Sequence, residues 1–435
     1  MRSIWQAIHY VLPHADPFAV IGLIGALQQA LAVVLFERLL RVRYALPLGA
    51  AVCAAGVLAL SYGPWRFAAE VEVYSTVTLI SVAVFWAASA ISHGKRLLFL
   101  GVAAGLAPMV YQPLGILGGL IVPIILFGRV SWRALAGYLA VFSVVVIAGI
   151  LAANLIETAS ASGRAAQAIF DTDGTRITAP DLDGVLKTLI GFGQNSASVN
   201  WAFELPFTRG IIEKQFAERF EGQLFATNVP TGFAWIVFAT LPVLLALLVA
   251  GLLYRGRPAK FRRLDLAALI WVMTIGGMIV LLAPRGFEAW IPATVPAVLL
   301  FASRVAGPLA EAGRLPLLVA MVGVLAVHNA LAGLALVGGA DRNYLAAKGD
   351  PVLAQVGAAD TIVTGQWRLD RYLAFTSDVT VVMADETGDG LPDVVRAALQ
   401  RGGSVWVYED AWQDDLGAHE ALDLPRAGRV YRIDP

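Results

Sequence analysis

LLFLGVAAGLAPMVYQPLGILGGLIVPIILFG, residues 97–128, carries no charged side chain. About 20 apolar residues suffice to cross a hydrocarbon core of roughly 30 Å. The stretch is too long for one crossing, and Tyr111-Gln112-Pro113 interrupts it with polar groups and a residue that lacks a backbone donor. It reads as two short helices joined by a turn, a hairpin in lipid. Runs of similar character cover 18–36, 44–62, 73–92, 134–155, 231–254, 264–283 and 315–338, and a shorter one with Pro292 and Pro296 covers 287–304. Ten transmembrane helices are predicted.

The composition of the whole chain agrees. Of its 435 residues 58% are hydrophobic and 15% charged, with a mean hydropathy of +0.70. A water-soluble globular protein is about 25% charged, so an ordinary cytosolic enzyme, a disordered chain and a collagenous chain are excluded. Lys plus Arg and Asp plus Glu are both 32, which gives no reason to expect a nucleic-acid partner. The single cysteine, Cys53, lies in an apolar run, so no intrachain disulfide can form.

Charge orients the helices. Alternate connections hold Arg38, Arg41 and Arg43; Lys95 and Arg96; Arg129 and Arg133; the Arg255–Arg263 segment; and Arg304 with Arg314. The opposite short segments hold only Arg2, Arg66 and Arg285. Basic residues collect on the cytoplasmic side, so both termini are expected outside the plasma (bacterial inner) membrane. Residues 1–17 lack a basic region leading into an apolar stretch, and no cleavable signal peptide is expected.

Two segments do not read as spans. Residues 156–230 are polar and are expected to form a large external loop, in which Ile212, Phe216, Phe220 and Leu224 recur every fourth residue, as in a helix lying on the membrane surface. From about 339 to 435 the chain becomes soluble. Thr361–Thr364, Val379–Met383, Ser404–Tyr408 and Val430–Ile433 read as strands with helical stretches between, a small extracytoplasmic α/β domain after a transmembrane domain over 1–338. It has neither a G-x-G-x-x-G nor a P-loop, so no nucleotide is assigned to it.

Chemistry concentrates at two outer membrane edges. Before the helix at 73–92 stands Gly63-Pro64-Trp65-Arg66-Phe67-Ala68-Ala69-Glu70-Val71-Glu72-Val73-Tyr74. Charges at that depth are costly unless hydrated, paired or used. Carboxylates at a helix N-terminus are also favoured by its dipole, which alone can account for Glu70. Two residues apart on a helix, Glu70 and Glu72 point about 200° apart, so only one can face a given cavity. The second edge is Pro284-Arg285-Gly286-Phe287-Glu288-Ala289-Trp290-Ile291-Pro292. A guanidinium at headgroup depth suits a lipid phosphate, which it grips with two parallel hydrogen bonds; pairing with Glu288 is the plainer alternative. Gln28, Gln29, His328 and Asn329 fall inside spans, where hydrogen bonds between helices explain them. His9, His14 and Asp16 read as solvated tail residues, and Asp171-x-Asp173-Gly174 as a turn.

At these edges the chain resembles the GT-C superfamily of polyprenyl-phosphate-dependent glycosyltransferases, especially bacterial relatives of the protein O-mannosyltransferases. The run Glu70-Val71-Glu72-Val73-Tyr74-Ser75-Thr76-Val77-Thr78-Leu79 resembles that group's Glu-Val-Tyr-Ser/Ala-Leu-Asn motif. The hairpin with Gly105-Leu106-Ala107-Pro108 and Tyr111-Gln112-Pro113, and Arg285 followed by Trp290-Ile291-Pro292-Ala293-Thr294-Val295-Pro296-Ala297, are similar to later family features. The resemblance implies an inverting transfer of a sugar from a polyprenyl phosphate in the outer leaflet to an acceptor hydroxyl. It places Glu72 as general base, with Glu70 as second choice. Arg285 with Arg66 would hold the phosphate, and Tyr74, Tyr111, Gln112 and Glu288 would line the substrate. No organic cofactor is implied, and a divalent metal stays open. Relatives carry a first helix and an acidic external loop ahead of this region. Here Ile4-Trp5-Gln6 through Leu12-Pro13 resembles the tail of that loop, so the expectation divides between a further acidic segment upstream and a degenerate enzyme. The competing readings are a carrier or flippase of a lipid-linked or anionic substrate, and a non-catalytic membrane scaffold. The lack of an internal repeat weighs against the carrier.

Overall fold

The computed structural model describes residues 17–68, 73–91, 94–159, 182–199, 231–254, 261–281, 287–335, 344–366, 369–387, 390–424 and 427–435, with a few single positions between 201 and 208. The expected surface helix around Phe216 and Phe220, the tail residues His9, His14 and Asp16, and the turn at Asp171 lie outside them. The chain divides into two compact units, one formed by residues up to Val199 with Ala239–Ala330, the other by Asn200–Phe238 with Leu331–Pro435.

In chain order the helices are α1 (Pro17–Arg43), α2 (Leu48–Leu60), α3 (Tyr62–Ala68), α4 (Tyr74–Ala90), α5 (Gly94–Val110), α6 (Leu114–Leu126), α7 (Trp132–Ala159), α8 (Leu182–Ser196), α9 (Thr231–Tyr254), α10 (Arg263–Leu281), α11 (Ile291–Glu311) and α12 (Leu315–Gly333). Six of them, α1, α7 and α9–α12, contain segments long and apolar enough to cross a bilayer. The chain is a multi-pass membrane protein. The other four of the ten expected runs hold shorter apolar helices, α2, α4, α5 and α6, each bounded by a local break. Thus α2 stops at Ser61, whose hydroxyl bonds back to the Val57 carbonyl at 2.7 Å, and resumes as α3. The turn at 111–113 splits the long apolar run into α5 and α6 as anticipated, with the Leu114 amide donating to the Tyr111 carbonyl at 2.9 Å.

Each spanning helix is apolar all round, so exposure rather than hydropathy marks its lipid face. On α1, Leu23, Leu27, Leu31 and Val34 are exposed while Ala32, Phe36, Leu39 and Leu40 are buried. Helix association in lipid rests on close packing instead of water exclusion. Gly101 and Gly105, one turn apart on α5, let α7 approach until a Cβ at Gly105 would meet the Val145 side chain at 2.8 Å and the Phe142 carbonyl at 3.0 Å. Of the polar residues inside the spans, Gln28 and His328 bond between helices as expected, Thr76 donating to Gln28 at 2.9 Å and His328 Nδ1 lying 2.6 Å from Thr240 Oγ1. The Gln29 amide, by contrast, is buried with no hydrogen-bond partner among the described residues.

The basic connections meet at one end of this unit. Arg262 donates to the Tyr44 carbonyl at 2.8 Å and Arg129 to that of Ser89 at 2.9 Å, and Arg263 bonds the Phe127 carbonyl. Arg304 reaches the buried Asp265 at 2.8 Å and lies over the Phe261 ring, 4.3 Å from its centre. Arginine bonds thus tie together the connections that the charge pattern had grouped. Among the described residues of the segment 156–230 is a helix that the sequence reading left as loop: α8 is amphipathic in the inverted sense, burying Thr188, Gln194 and Asn195 while exposing Val185, Leu189 and Ile190.

The second unit contains the small α/β domain. Its strands are β1 (Thr361–Thr364), β2 (Thr380–Met383), β3 (Val405–Tyr408), β4 (Glu420–Leu424) and β5 (Gly428–Ile433), in the order β2-β1-β3-β5-β4. β1 is parallel to β2 and β3, and β5 pairs antiparallel with β3 and β4. β1 and β3 are buried at every position, as strands covered on both faces must be. On one face Val363, Val405 and Val407 meet Leu391, Val395 and Ala398; on the other Ile362, Trp406 and Tyr408 meet Leu369 and Leu373. β4 was not anticipated. Most of its positions are exposed at the sheet edge, so its sequence shows little apolar demand.

Candidate functional site

The end of the helical unit opposite the arginine ties is built from aromatic and amide side chains. The run Tyr62-Gly63-Pro64-Trp65-Arg66-Phe67-Ala68 forms α3, seven residues that carry Tyr62 and Arg66 one turn apart on the same face. Arg66 is half-buried and donates to the Tyr62 hydroxyl at 2.8 Å, which holds its guanidinium against the ring. Tyr62 is buried and packs with Ile291, the first residue of α11, and with Tyr74, the first residue of α4. Tyr74 in turn meets Tyr111 edge to face, ring centres 5.8 Å apart and planes at 68°. This geometry suits the quadrupoles of the two rings. Gln112, next to Tyr111 in the turn, is exposed.

The approach to α11 is a single tight turn, Phe287–Trp290. Trp290 is buried, its ring edge-on to Phe192 of α8 at 4.9 Å, and a Cβ at Gly276 of α10 would come within 2.9 Å of the indole. Three residues further along α8, the Asn195 amide donates to Thr294 Oγ1 at 2.7 Å, and Thr294 contacts the Trp290 carbonyl at 3.4 Å. Asn195 and Thr294 are both buried, and the Asn195 carbonyl oxygen faces Gly63 so closely that a Cβ there would overlap it. Only glycine fits opposite this amide.

A second polar knot fixes the end of α8. Asn329 of α12 donates to the carbonyls of Leu60 at 2.6 Å and Ser196 at 2.9 Å, and accepts from the Ser198 amide at 2.9 Å. His328 Nε2 lies 2.8 Å from the Ser198 carbonyl. A carbonyl can only accept, so Nε2 is the protonated ring nitrogen.

Of the residues that the sequence singled out, Arg66, Tyr74 and Tyr111 come together here, with Gln112 beside them. Glu70 and Glu72, between α3 and α4, and Arg285, between α10 and the turn at Phe287, lie outside the described residues; Glu288 is described only as part of that turn. Among the described residues no three His, Cys, Asp or Glu side chains converge as a metal site would require. Sequence reasoning missed Phe192 and Asn195, because both sit in a segment read as loop. The available signal was the recurrence of Leu182, Val185, Leu189 and Ile190 at helical spacing.

No family model matches the chain, and no curated protein matches it. Two solved structures do. ArnT from Cupriavidus metallidurans bound to undecaprenyl phosphate superposes with a TM-score of 0.56 at 12% identity, covering 98% of this chain and 86% of that one. The same protein in the apo state gives 0.50 at 14% identity, over 94% of this chain and 83% of that one. At such identities the likeness speaks for architecture alone. The long apolar helices with the small C-terminal sheet therefore share the fold of that structure.

Proposed function

We propose that this chain is a membrane glycosyltransferase that moves a sugar from a polyprenyl-phosphate carrier to an acceptor hydroxyl on the extracytoplasmic side. The observation that carries the reading is the packing of Tyr74 and Ile291 on Tyr62. Glu72 stands two residues before Tyr74 and Arg285 six before Ile291, so a carboxylate and a guanidinium flank the same aromatic cluster in the chain. The fold is shared with ArnT, which binds undecaprenyl phosphate, and this supports a polyprenyl carrier.

The chemistry follows from those groups. Glu72, or Glu70 in its place, takes the proton of the acceptor hydroxyl as its oxygen attacks the anomeric carbon from the face opposite the phosphate. The bond from that carbon to the phosphate oxygen breaks, and the configuration inverts. The polyprenyl phosphate leaves with the bonding electrons, and Arg285 and Arg66 hold the charge that grows on it. Tyr74, Tyr111, Gln112 and Glu288 line the substrate. The arginine-tied end faces the cytosol, which puts this site outside.

The test uses purified protein in vesicles with undecaprenyl phosphate carrying glucose, mannose, galactose or arabinose. Release of undecaprenyl phosphate by the wild type, lost in Glu72→Gln, supports the reading. Absence of release from every donor overturns it.

A further inference from the structure

From the Asn195–Thr294 bond and the contact with Gly63 we infer that Asn195 is a positioning residue that sets the spacing between the two halves of the site; the inference rests on the transferase reading above. One half, α3, leads directly into the segment with Glu70 and Glu72. The other, the turn at Phe287–Trp290, directly follows the segment with Arg285. Among the described residues α8 touches both: Asn195 abuts Gly63 of α3 and bonds Thr294 of α11, while Phe192 seats Trp290. The amide is fully buried and its carbonyl oxygen has no hydrogen-bond partner among the described residues. A polar atom held that way costs free energy, so its place reflects a geometric demand rather than a gain in stability. Asn329 and His328 anchor the chain just beyond, at Ser196 and Ser198, so α8 cannot slide along the bundle. Α8 therefore acts as a strut. It keeps α3 and the turn at Phe287–Trp290 at the separation that transfer requires.

The experiment compares Thr294→Val, which removes the hydroxyl at nearly constant volume, with Thr294→Ser, which keeps it. In Thr294→Val the turnover number falls by roughly 10- to 100-fold while donor KM stays near wild type, the signature of misplaced reacting groups rather than weakened binding. Thr294→Ser recovers most of the loss. Spin labels at Trp65→Cys and Ala289→Cys on a Cys53→Ser background report the spacing without any transfer; their distance distribution broadens when Thr294→Val is added. If the distribution and turnover are unchanged in Thr294→Val, or if Thr294→Ser loses as much as Thr294→Val, the strut is refuted. If the wild type transfers nothing but the distribution still broadens, the strut stands and the transferase reading falls.

Discussion

The two ends of the helical unit solve opposite problems. At the basic end, charges are spent on structure: Arg129, Arg262 and Arg263 bond backbone carbonyls left open where helices stop, and Arg304 pairs with the buried Asp265. At the other end, Arg66 is held by a tyrosine hydroxyl, and rings and a buried amide take over the packing. The guanidiniums at the basic end close helix termini, while that of Arg66 is oriented by the phenol one turn before it.

Substitutions at four positions would break or sharpen that contrast. Glu72→Gln, at the working end, should lower sugar transfer about 10²- to 10⁴-fold with an unchanged melting temperature, the usual worth of a general base. A fully active variant would remove the carboxylate from the mechanism. Asp265→Ala, at the tied end, should do the reverse. Leaving Arg304 without its buried partner costs about 3–5 kcal/mol, read as a lower midpoint in detergent or denaturant melts, with turnover per folded molecule intact. Arg66→Ala should raise donor KM about tenfold, the worth of one charge-assisted hydrogen bond, and Arg66→Lys should restore only part because it lacks the planar fork. Thr76→Val, two residues beyond Tyr74 on α4, removes the bond to Gln28 and should cost only about 0.6 kcal/mol, with transfer unchanged. A large loss of transfer from Asp265→Ala, or of stability from Glu72→Gln, would erase the distinction.

Much of the frame was legible in the residues. The break at Tyr111-Gln112-Pro113, the alternation of basic connections and four of the five strands follow from local rules that need no neighbour. α8 was not legible. Its Thr188, Gln194 and Asn195 turn inward and its Val185, Leu189 and Ile190 outward, the opposite of what water would select, so polarity alone suggested an external loop. β4 escaped for a related reason: pairing with β5 holds it, and backbone pairing asks little of side chains on an exposed edge. Of the candidate site, Arg66, Tyr74 and Tyr111 could be named in advance from charge placed against the rule and from motif, but the amide strut could not.

By itself, then, the sequence determined that this chain lives in a bilayer, which connections gather at one end, and that an α/β domain follows the helices. Hydropathy and charge act residue by residue against a fixed environment, and so they can be read in one dimension. Only the tertiary structure decided that Gly63, Asn195 and Thr294 meet, and that Tyr62, Tyr74 and Ile291 share one cluster. Those contacts join residues up to 229 positions apart, and packing in lipid, where hydrophobicity no longer discriminates between partners, is settled by shape and hydrogen bonding that exist only once the helices are assembled.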